Sequence, residues 1–240
     1  MTHGLRTLCS ITCHDRMRRE TVFHRHAPLL NWVAFACMFC LALLAYRIHW
    51  SGRTSFYFLS WNLALASIPL VFALAALGLS RMRWTTPSLL MLVPWLLFLP
   101  NAPYILTDLL HLKVRAPIPL WYDMIMLLAF ALTGLLLGYL SMVCVERVLQ
   151  PVFKQPVITV FHGAVLFLCG FGIYLGRFLR WNSWEIATRP KSFLYVVGDR
   201  FLDPIGHGKT WAVTLLIGTL LIIMYALVRG IGAGLRPRQV

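Results

Sequence analysis

The sequence predicts an all-α polytopic membrane helix bundle with about six transmembrane helices. Of the 240 residues, 59% are hydrophobic and only 12% are charged, whereas a soluble domain carries about 25% charged residues. Apolar runs of about 20 residues, the length that crosses a bilayer, recur along the whole chain. They predict spans near 28–46, 57–79, 87–112, 120–145, 157–180 and 210–229. The expected organisation is one integral membrane domain, 28–230, between two basic cytoplasmic tails, 1–27 and 231–240.

The net charge of +14 is explained by membrane topology rather than by nucleic acid binding, because Lys and Arg gather in the cytoplasmic segments between spans. With both termini inside, the inner segments hold twelve of the 22 Lys and Arg and the outer segments hold ten. Six of those ten lie in one long loop, and without it the balance is twelve against four. We therefore expect contact with the lipid bilayer, no nucleic acid partner, and both termini in the cytoplasm.

The first span is expected to be retained rather than removed as a signal, because no small-residue cleavage site follows it. It ends at Tyr46 and Arg47, with Trp50 at the boundary, where aromatic rings prefer to lie. The cysteines fall in the spans or the N-terminal tail, so no disulfide framework is predicted. The stretch CSITCH, 9–14, lacks the usual C-x-x-C-H spacing and partner ligands, so we predict no metal and no other cofactor.

The third span is predicted to be broken at Pro100–Pro103. The apolar run before the break, Ser88 to Leu99, rises only about 18 Å, which is too short for a core about 30 Å thick. The chain must therefore cross through Pro100-Asn101-Ala102-Pro103, where both prolines remove a backbone donor. Asn101 is expected to cap a second helical piece. Asp108 and His111, three residues apart, share one face of that piece.

The remaining spans carry polar and small residues at defined places. The fourth opens with WYDM, 121–124, which puts Asp123 just inside the membrane boundary. Two glycine pairs, Gly134 with Gly138 and Gly172 with Gly176, are typical of close helix packing. Arg177 and Arg180 are also three apart and are expected on one helix face. Short surface helices are expected in the aromatic loop 181–209, followed by a plain apolar sixth span.

Four motifs carry a resemblance to a known family. They are WLLFLPNAPYILTDLLHL (95–112), WYDM (121–124), TGLLLGYLS (133–141) and GFGIYLGRFLRWNSWEI (170–186). Together they resemble the bacterial multi-pass membrane protein family called domain of unknown function 1361, over roughly residues 30–230. The resemblance implies a protein of the bacterial cell inner membrane with no established activity, and it carries over no catalytic residue.

The polar residues of these motifs form one candidate ligand-binding or ion-pair cluster at the outer third of the membrane. Its members are Asn101, Tyr104, Asp108, His111, Asp123, Arg177, Arg180, Asn182 and Glu185. Ionisable groups at such depth are costly, so they pair or line a watered cavity. Asp108 is expected to pair with Arg177 or Arg180. The two arginines could also hold a carboxylate or phosphate, beside the free N–H groups of the new helix start.

Three functions remain open. The first is an accessory or structural membrane protein that holds a protein partner or a second copy of the chain, which explains the lack of a complete catalytic set. The alternative is a binding or transport protein for an anionic or lipid-linked ligand. The third, an intramembrane enzyme on a lipid carrier with Asp108 or Glu185 as base, has the least support. Closed packing of the charges favours the first function, whereas an open cavity around them favours the other two.

Overall fold

The computed structural model describes residues 29–234 and is all-α, as predicted. The N-terminal tail 1–27 and the last residues of the C-terminal tail lie outside the described residues. The α-helices are α1 (Leu29–Ser51), α2 (Phe58–Arg81), α3 (Thr85–Leu90), α4 (Leu92–Phe98), α5 (Asn101–Tyr104), α6 (Leu120–Leu149), α7 (Gln155–Phe178), α8 (Glu185–Thr188), α9 (Pro190–Leu202) and α10 (Gly208–Gly234). One 3-10 helix, Ile105–His111, continues from α5.

Six helical segments are long and apolar enough to cross a membrane, which confirms the predicted number of spans. They are α1, α2, α6, α7, the first 24 residues of α10, and the segmented third span Thr85–His111. The helix α1 extends five residues beyond its predicted end at Tyr46, so Arg47 lies within the helix and not in the following loop. The short helices expected in the loop after α7 are present as α8 and α9.

The central element of the bundle is α6. In the most apolar stretch of each helix, 61% of the residues are buried in α6, 11% in α1 and 22% in α10. It lies between two apolar cores, one shared with α1 and α2 and the other with α4, α7 and α10. The first core includes Met126 and Phe130, and the second includes Trp95, Met142 and Cys169. Because α1 and α10 are peripheral, they present most of their apolar surface outward.

The predicted interruption of the third span is found between α4 and α5. Leu99 and Pro100 separate the two helices but keep helical dihedral angles, with φ/ψ of −55°/−38° and −60°/−22°, and the Leu99 N–H still donates to the Trp95 carbonyl at 2.9 Å. The chain therefore continues in nearly the same direction. A second interruption, at Met91 between α3 and α4, was not predicted.

The expectation that Asn101 caps a new helix is wrong. Pro100 occupies the residue before α5, and the Asn101 side-chain Nδ2 donates backward to the Phe98 carbonyl at 2.9 Å. The N–H groups of Ala102 and Tyr104 donate to carbonyls at Leu99 and Pro100. Because the preceding turn already supplies acceptors, these N–H groups are not free to bind an anion.

Both glycine pairs pack against this interrupted segment. A Cβ atom at Gly134 would lie 2.6 Å from the Ala102 carbonyl oxygen, and one at Gly172 would lie 2.9 Å from the Pro100 ring. A Cβ at Gly176 would lie 3.1 Å from the ring of Tyr104. The small residues of α6 and α7 therefore let both helices approach the interrupted segment from two sides, and this contact fixes the position of the polar residues that follow it.

Candidate functional site

The two arginines at the end of α7 occupy different environments. The helix ends at Phe178, with Arg177 in its last turn. Arg180 lies two residues beyond the end and has a φ of 59°, in the left-handed region. The chain turns back here, because the N–H groups of Leu179 and Trp181 both donate to the Leu175 carbonyl. The expectation that both arginines share one helix face is therefore wrong, since the helix ends before the second one.

Asp108 is the centre of a buried polar network that joins three spans. Its side chain is 1% exposed. Oδ1 accepts a hydrogen bond from Arg177 Nη2 at 2.5 Å, and Oδ2 accepts one from Asn62 Nδ2 at 2.7 Å. Arg177 belongs to α7, Asn62 to α2, and Asp108 to the 3-10 helix of the third span. One carboxylate thus links three separate segments of the bundle.

The other two nitrogens of Arg177 also have partners. Nε donates to Thr107 Oγ1 at 2.8 Å, and Nη1 lies 3.0 Å from His111 Nε2. Because a guanidinium has only donors, Nε2 is the acceptor in this contact and the His111 proton is on Nδ1. The guanidinium carbon also lies 4.7 Å from the centre of the Tyr104 ring. We call Asp108, Arg177, Asn62, Thr107 and His111 the Asp108 network; it is closed and well paired.

Arg180 lines a cavity of about 280 Å³ beside the Asp108 network, and Asn62 belongs to both. The cavity lies between α2, α5, the last turns of α7 and the chain at 180–183. Its polar lining consists of Asn62, Asn101, Tyr104, Arg180, Asn182 and Ser183, and two indole rings, Trp61 and Trp181, complete the wall. Within residues 29–234, the exposed Arg180 has no hydrogen-bond or ion-pair partner. We call this space the Arg180 cavity.

Hydrogen bonds fix the segment that forms the cavity rim. Asn101 Nδ2 donates to Ser183 Oγ at 3.0 Å, which ties the interrupted third span to the loop after α7. Glu185 Oε2 accepts from the Asn182 backbone N–H at 2.8 Å and from its Nδ2 at 3.2 Å. Glu185 therefore shapes the loop and does not line the cavity.

Asp123 belongs to neither the Asp108 network nor the Arg180 cavity and pairs with Arg47. Arg47 Nε donates to Oδ1 at 2.8 Å and Nη2 donates to Oδ2 at 3.2 Å, and both side chains are 1% exposed. The Arg47 guanidinium also lies 4.4 Å from the centre of the Phe56 ring. Sequence reasoning missed this pair because it assigned Arg47 to the loop. The available signal was a cation, Arg47, one turn before the aromatic boundary residue Trp50.

A further ion pair, at the opposite end of the bundle, was also missed. Glu146 of α6 is 4% exposed and pairs with Arg229 of α10, whose Nη2 donates to Oε1 at 2.9 Å. Gln155 Nε2 donates to the same oxygen at 3.1 Å. A lone carboxylate near the end of an apolar span indicates that a cationic side chain pairs with it. The sequence does not show which Lys or Arg this is.

The nine candidate residues thus separate into distinct groups. Asp108, Arg177 and His111 belong to the Asp108 network, while Asn101, Tyr104, Arg180 and Asn182 line the Arg180 cavity. Asp123 pairs with Arg47, and Glu185 holds the loop. In the described part of the chain, no group of three or more His, Cys, Asp and Glu side chains could hold a metal ion.

Comparison with protein families matches residues 61–224 to the family described as Protein of unknown function (DUF1361). Neither a search of curated proteins nor a search of solved structures found a match. The matched range covers more than half of the chain and includes the interrupted third span, the Asp108 network and the Arg180 cavity. This integral membrane protein of unknown function therefore belongs to the DUF1361 family.

Proposed function

We propose that the protein binds an anionic group, a carboxylate or a phosphate, in the Arg180 cavity. The observation that carries this proposal is that Arg180 lacks an acidic partner among residues 29–234 and lines a polar cavity with hydroxyl and amide groups. A guanidinium presents paired donors that match the oxygen atoms of a carboxylate or phosphate. The Ser183 hydroxyl and the Asn182 side chain, on the same wall, supply further polar contacts.

The backbone at Arg180 supports this role. A left-handed conformation is costly for any residue with a Cβ atom, and glycine usually occupies such a position at a helix end. Backbone strain of this kind is concentrated at binding sites and active sites. Two non-glycine residues of the described chain have a positive φ, Arg83 (63°) and Arg180 (59°), and of these Arg180 lines the cavity. Glycine would relieve the strain but would remove the charge.

The Asp108 network favours a structural role for the other arginine. Each of the three nitrogens of Arg177 already contacts a protein partner, Thr107, His111 or the buried Asp108 carboxylate, and its charge is paired with Asp108. Asp108 accepts two hydrogen bonds and is buried, which argues against its use as a base. The closed Asp108 network fits the accessory function, whereas the Arg180 cavity favours ligand binding, and the enzymatic function has the least support.

We also propose an orientation for the site. The cavity lies at the end of the bundle where α7 ends and α6 begins, which is the outer end if both termini are cytoplasmic. The distribution of Lys and Arg supports that orientation, and the family resemblance implies the bacterial inner membrane as the location. The cavity would then receive its ligand from the periplasmic side.

Calorimetric titration of the purified protein with hexyl phosphate tests the binding proposal, with hexanol as the uncharged comparison. We expect hexyl phosphate to bind and hexanol not to bind. Arg180→Gln should weaken binding about tenfold or more, because a hydrogen bond to a charged group contributes about 1.5–3 kcal/mol. Lys191→Gln is the matched control, since Lys191 is also an exposed cation after α7 but does not line the cavity. Equal affinity in the parent and in Arg180→Gln would refute the proposal.

A further inference from the structure

We infer that the ligand of the Arg180 cavity is a small anion that also carries several hydroxyl groups, of the sugar phosphate or sugar acid class. This inference rests on the proposed function, because Arg180 holds the anionic group. It is supported by the hydrogen-bonding atoms that the cavity side chains have left unused, by the two indole rings of the wall, and by the size of the cavity.

Three asparagines line the cavity, and each has its amide nitrogen engaged by the protein. Asn62 Nδ2 donates to the Asp108 carboxylate at 2.7 Å, and Asn182 Nδ2 donates to the Glu185 carboxylate at 3.2 Å. Asn101 Nδ2 donates to a backbone carbonyl at 2.9 Å. Because carboxylates and carbonyls only accept hydrogen bonds, these contacts fix which end of each amide is the oxygen. Within the described part of the chain, the three Oδ1 atoms have no hydrogen-bond partner.

The cavity therefore combines donors with unused acceptors. Arg180 is a donor, and the Ser183 hydroxyl, whose oxygen accepts from Asn101 Nδ2 at 3.0 Å, keeps its own proton to donate. A bare phosphate or carboxylate has oxygen atoms that only accept, so it would pair with these donors alone. The three amide oxygens would then face the ligand without a donor, which weakens binding. Hydroxyl groups on the ligand supply the missing donors.

The absence of a negative charge in the cavity wall distinguishes hydroxyl donors from an ammonium group. No acidic residue of the described chain lines the cavity, since the neighbouring Asp108 side chain is 1% exposed and already paired. A ligand ammonium would thus lose its water without gaining a carboxylate partner, which is costly for a charge. A neutral hydroxyl pairs with a neutral amide oxygen without that cost.

The two indole rings and the volume fit one sugar ring. Trp61 and Trp181 lie in the wall of the cavity. The face of an indole is apolar and carries partial negative charge, so it packs against the C–H groups of a sugar ring while the hydroxyl groups point to polar side chains. The volume of about 280 Å³ is at the lower limit of pockets for drug-sized ligands, about 300–1,000 Å³. A monosaccharide with one anionic group is of suitable size.

The test is calorimetric titration of the purified protein with hexyl phosphate and with a panel of sugar anions. The panel contains the 6-phosphates of glucose, mannose and galactose, together with glucuronate and galacturonate. Its phosphate and carboxylate members distinguish a sugar phosphate from a sugar acid. Glucose serves as the uncharged comparison, and glutamate serves as the anion that carries an ammonium donor in place of hydroxyl groups.

Two variants test the walls of the cavity. Asn182→Ala removes one amide oxygen, and Trp61→Ala removes one indole ring. The matched control is Trp84→Ala, because Trp61 and Trp84 are both 58% exposed, and Trp84 lies beyond the other end of α2, outside the cavity. Hexyl phosphate is titrated into every variant, so each result is the ratio of two affinities in one protein.

We expect at least one sugar anion to bind about tenfold or more tightly than hexyl phosphate, as two or more added hydrogen bonds allow. Asn182→Ala and Trp61→Ala should each reduce this advantage about threefold or more, and Trp84→Ala should preserve it.

If no sugar anion has this advantage, if the two wall variants preserve it, or if glutamate binds as tightly as the best sugar anion, the inference about hydroxyl groups fails while anion binding stands. If glucose binds as tightly as its phosphate, or if Arg180→Gln alters no affinity, the proposed anion site fails as well.

Discussion

Replacement of Arg177 by glutamine is expected to lower the free energy of unfolding by about 3–5 kcal/mol, the cost of removing one member of a buried ion pair. The burial of Asp108 accounts for the size of this loss in unfolding free energy. Asp108 is 1% exposed and would keep only the hydrogen bond from Asn62. The change would also remove the donors to Thr107 and His111.

A double-mutant cycle isolates the ion pair from these other contacts. Asp108→Asn should also destabilise, but by less, because Arg177 keeps Thr107, His111 and the Tyr104 ring as partners. The double variant Asp108→Asn/Arg177→Gln should be more stable than the sum of the single changes predicts. A coupling energy of about 0.5–3 kcal/mol is typical of residues in one network.

The assay is reversible unfolding in mixed micelles, followed by the loss of helical signal as denaturing detergent is added. The matched control is Arg180→Gln, three residues away, which should change stability by no more than about 0.5 kcal/mol, as exposed substitutions usually do. Additive single changes would refute the pairing, and an equal loss of stability in Arg180→Gln would refute the separation of the two arginines.

Three further changes test other parts of the fold. Arg47→Gln should destabilise by about 3–5 kcal/mol in the same assay, because it leaves buried Asp123 unpaired; a neutral result would contradict the bidentate contact. Gly134→Ala should cost about 1–3 kcal/mol, since its Cβ would meet the Ala102 carbonyl at 2.6 Å. Gly163→Ala, with open space around it, should be neutral or stabilising, and equal effects at both glycines would refute the packing argument. Topology reporters fused at residues 115 and 195 should read periplasmic, and those fused at residues 82 and 152 should read cytoplasmic. The reverse pattern would place the Arg180 cavity on the cytoplasmic side.

The sequence predicted the helical class and the number of spans because both follow from the length and apolarity of each run. It also predicted the interruption at Pro100, since proline removes a backbone donor wherever it lies. The ends of helices were less predictable. Arg47 and Arg180 were misplaced because one helix extends five residues further than its apolar run and another ends two residues before the second arginine.

The pairing of charges could not be predicted from spacing alone. Asp108 had two candidate arginines, and the end of α7 decides between them by directing only Arg177 toward the carboxylate. Asn62 was visible as a polar residue in an apolar span, but its partner lies 46 positions away. The Arg180 cavity depends on how four segments converge, which no local pattern records.

The two arginines differ in role: Arg177 pairs with buried Asp108, whereas we propose that Arg180 binds an anion. The most direct test is the affinity of Arg180→Gln for hexyl phosphate, measured on protein whose unfolding free energy matches that of the parent. We expect unchanged stability together with binding weakened about tenfold or more. Parental affinity in a stable Arg180→Gln protein would contradict it.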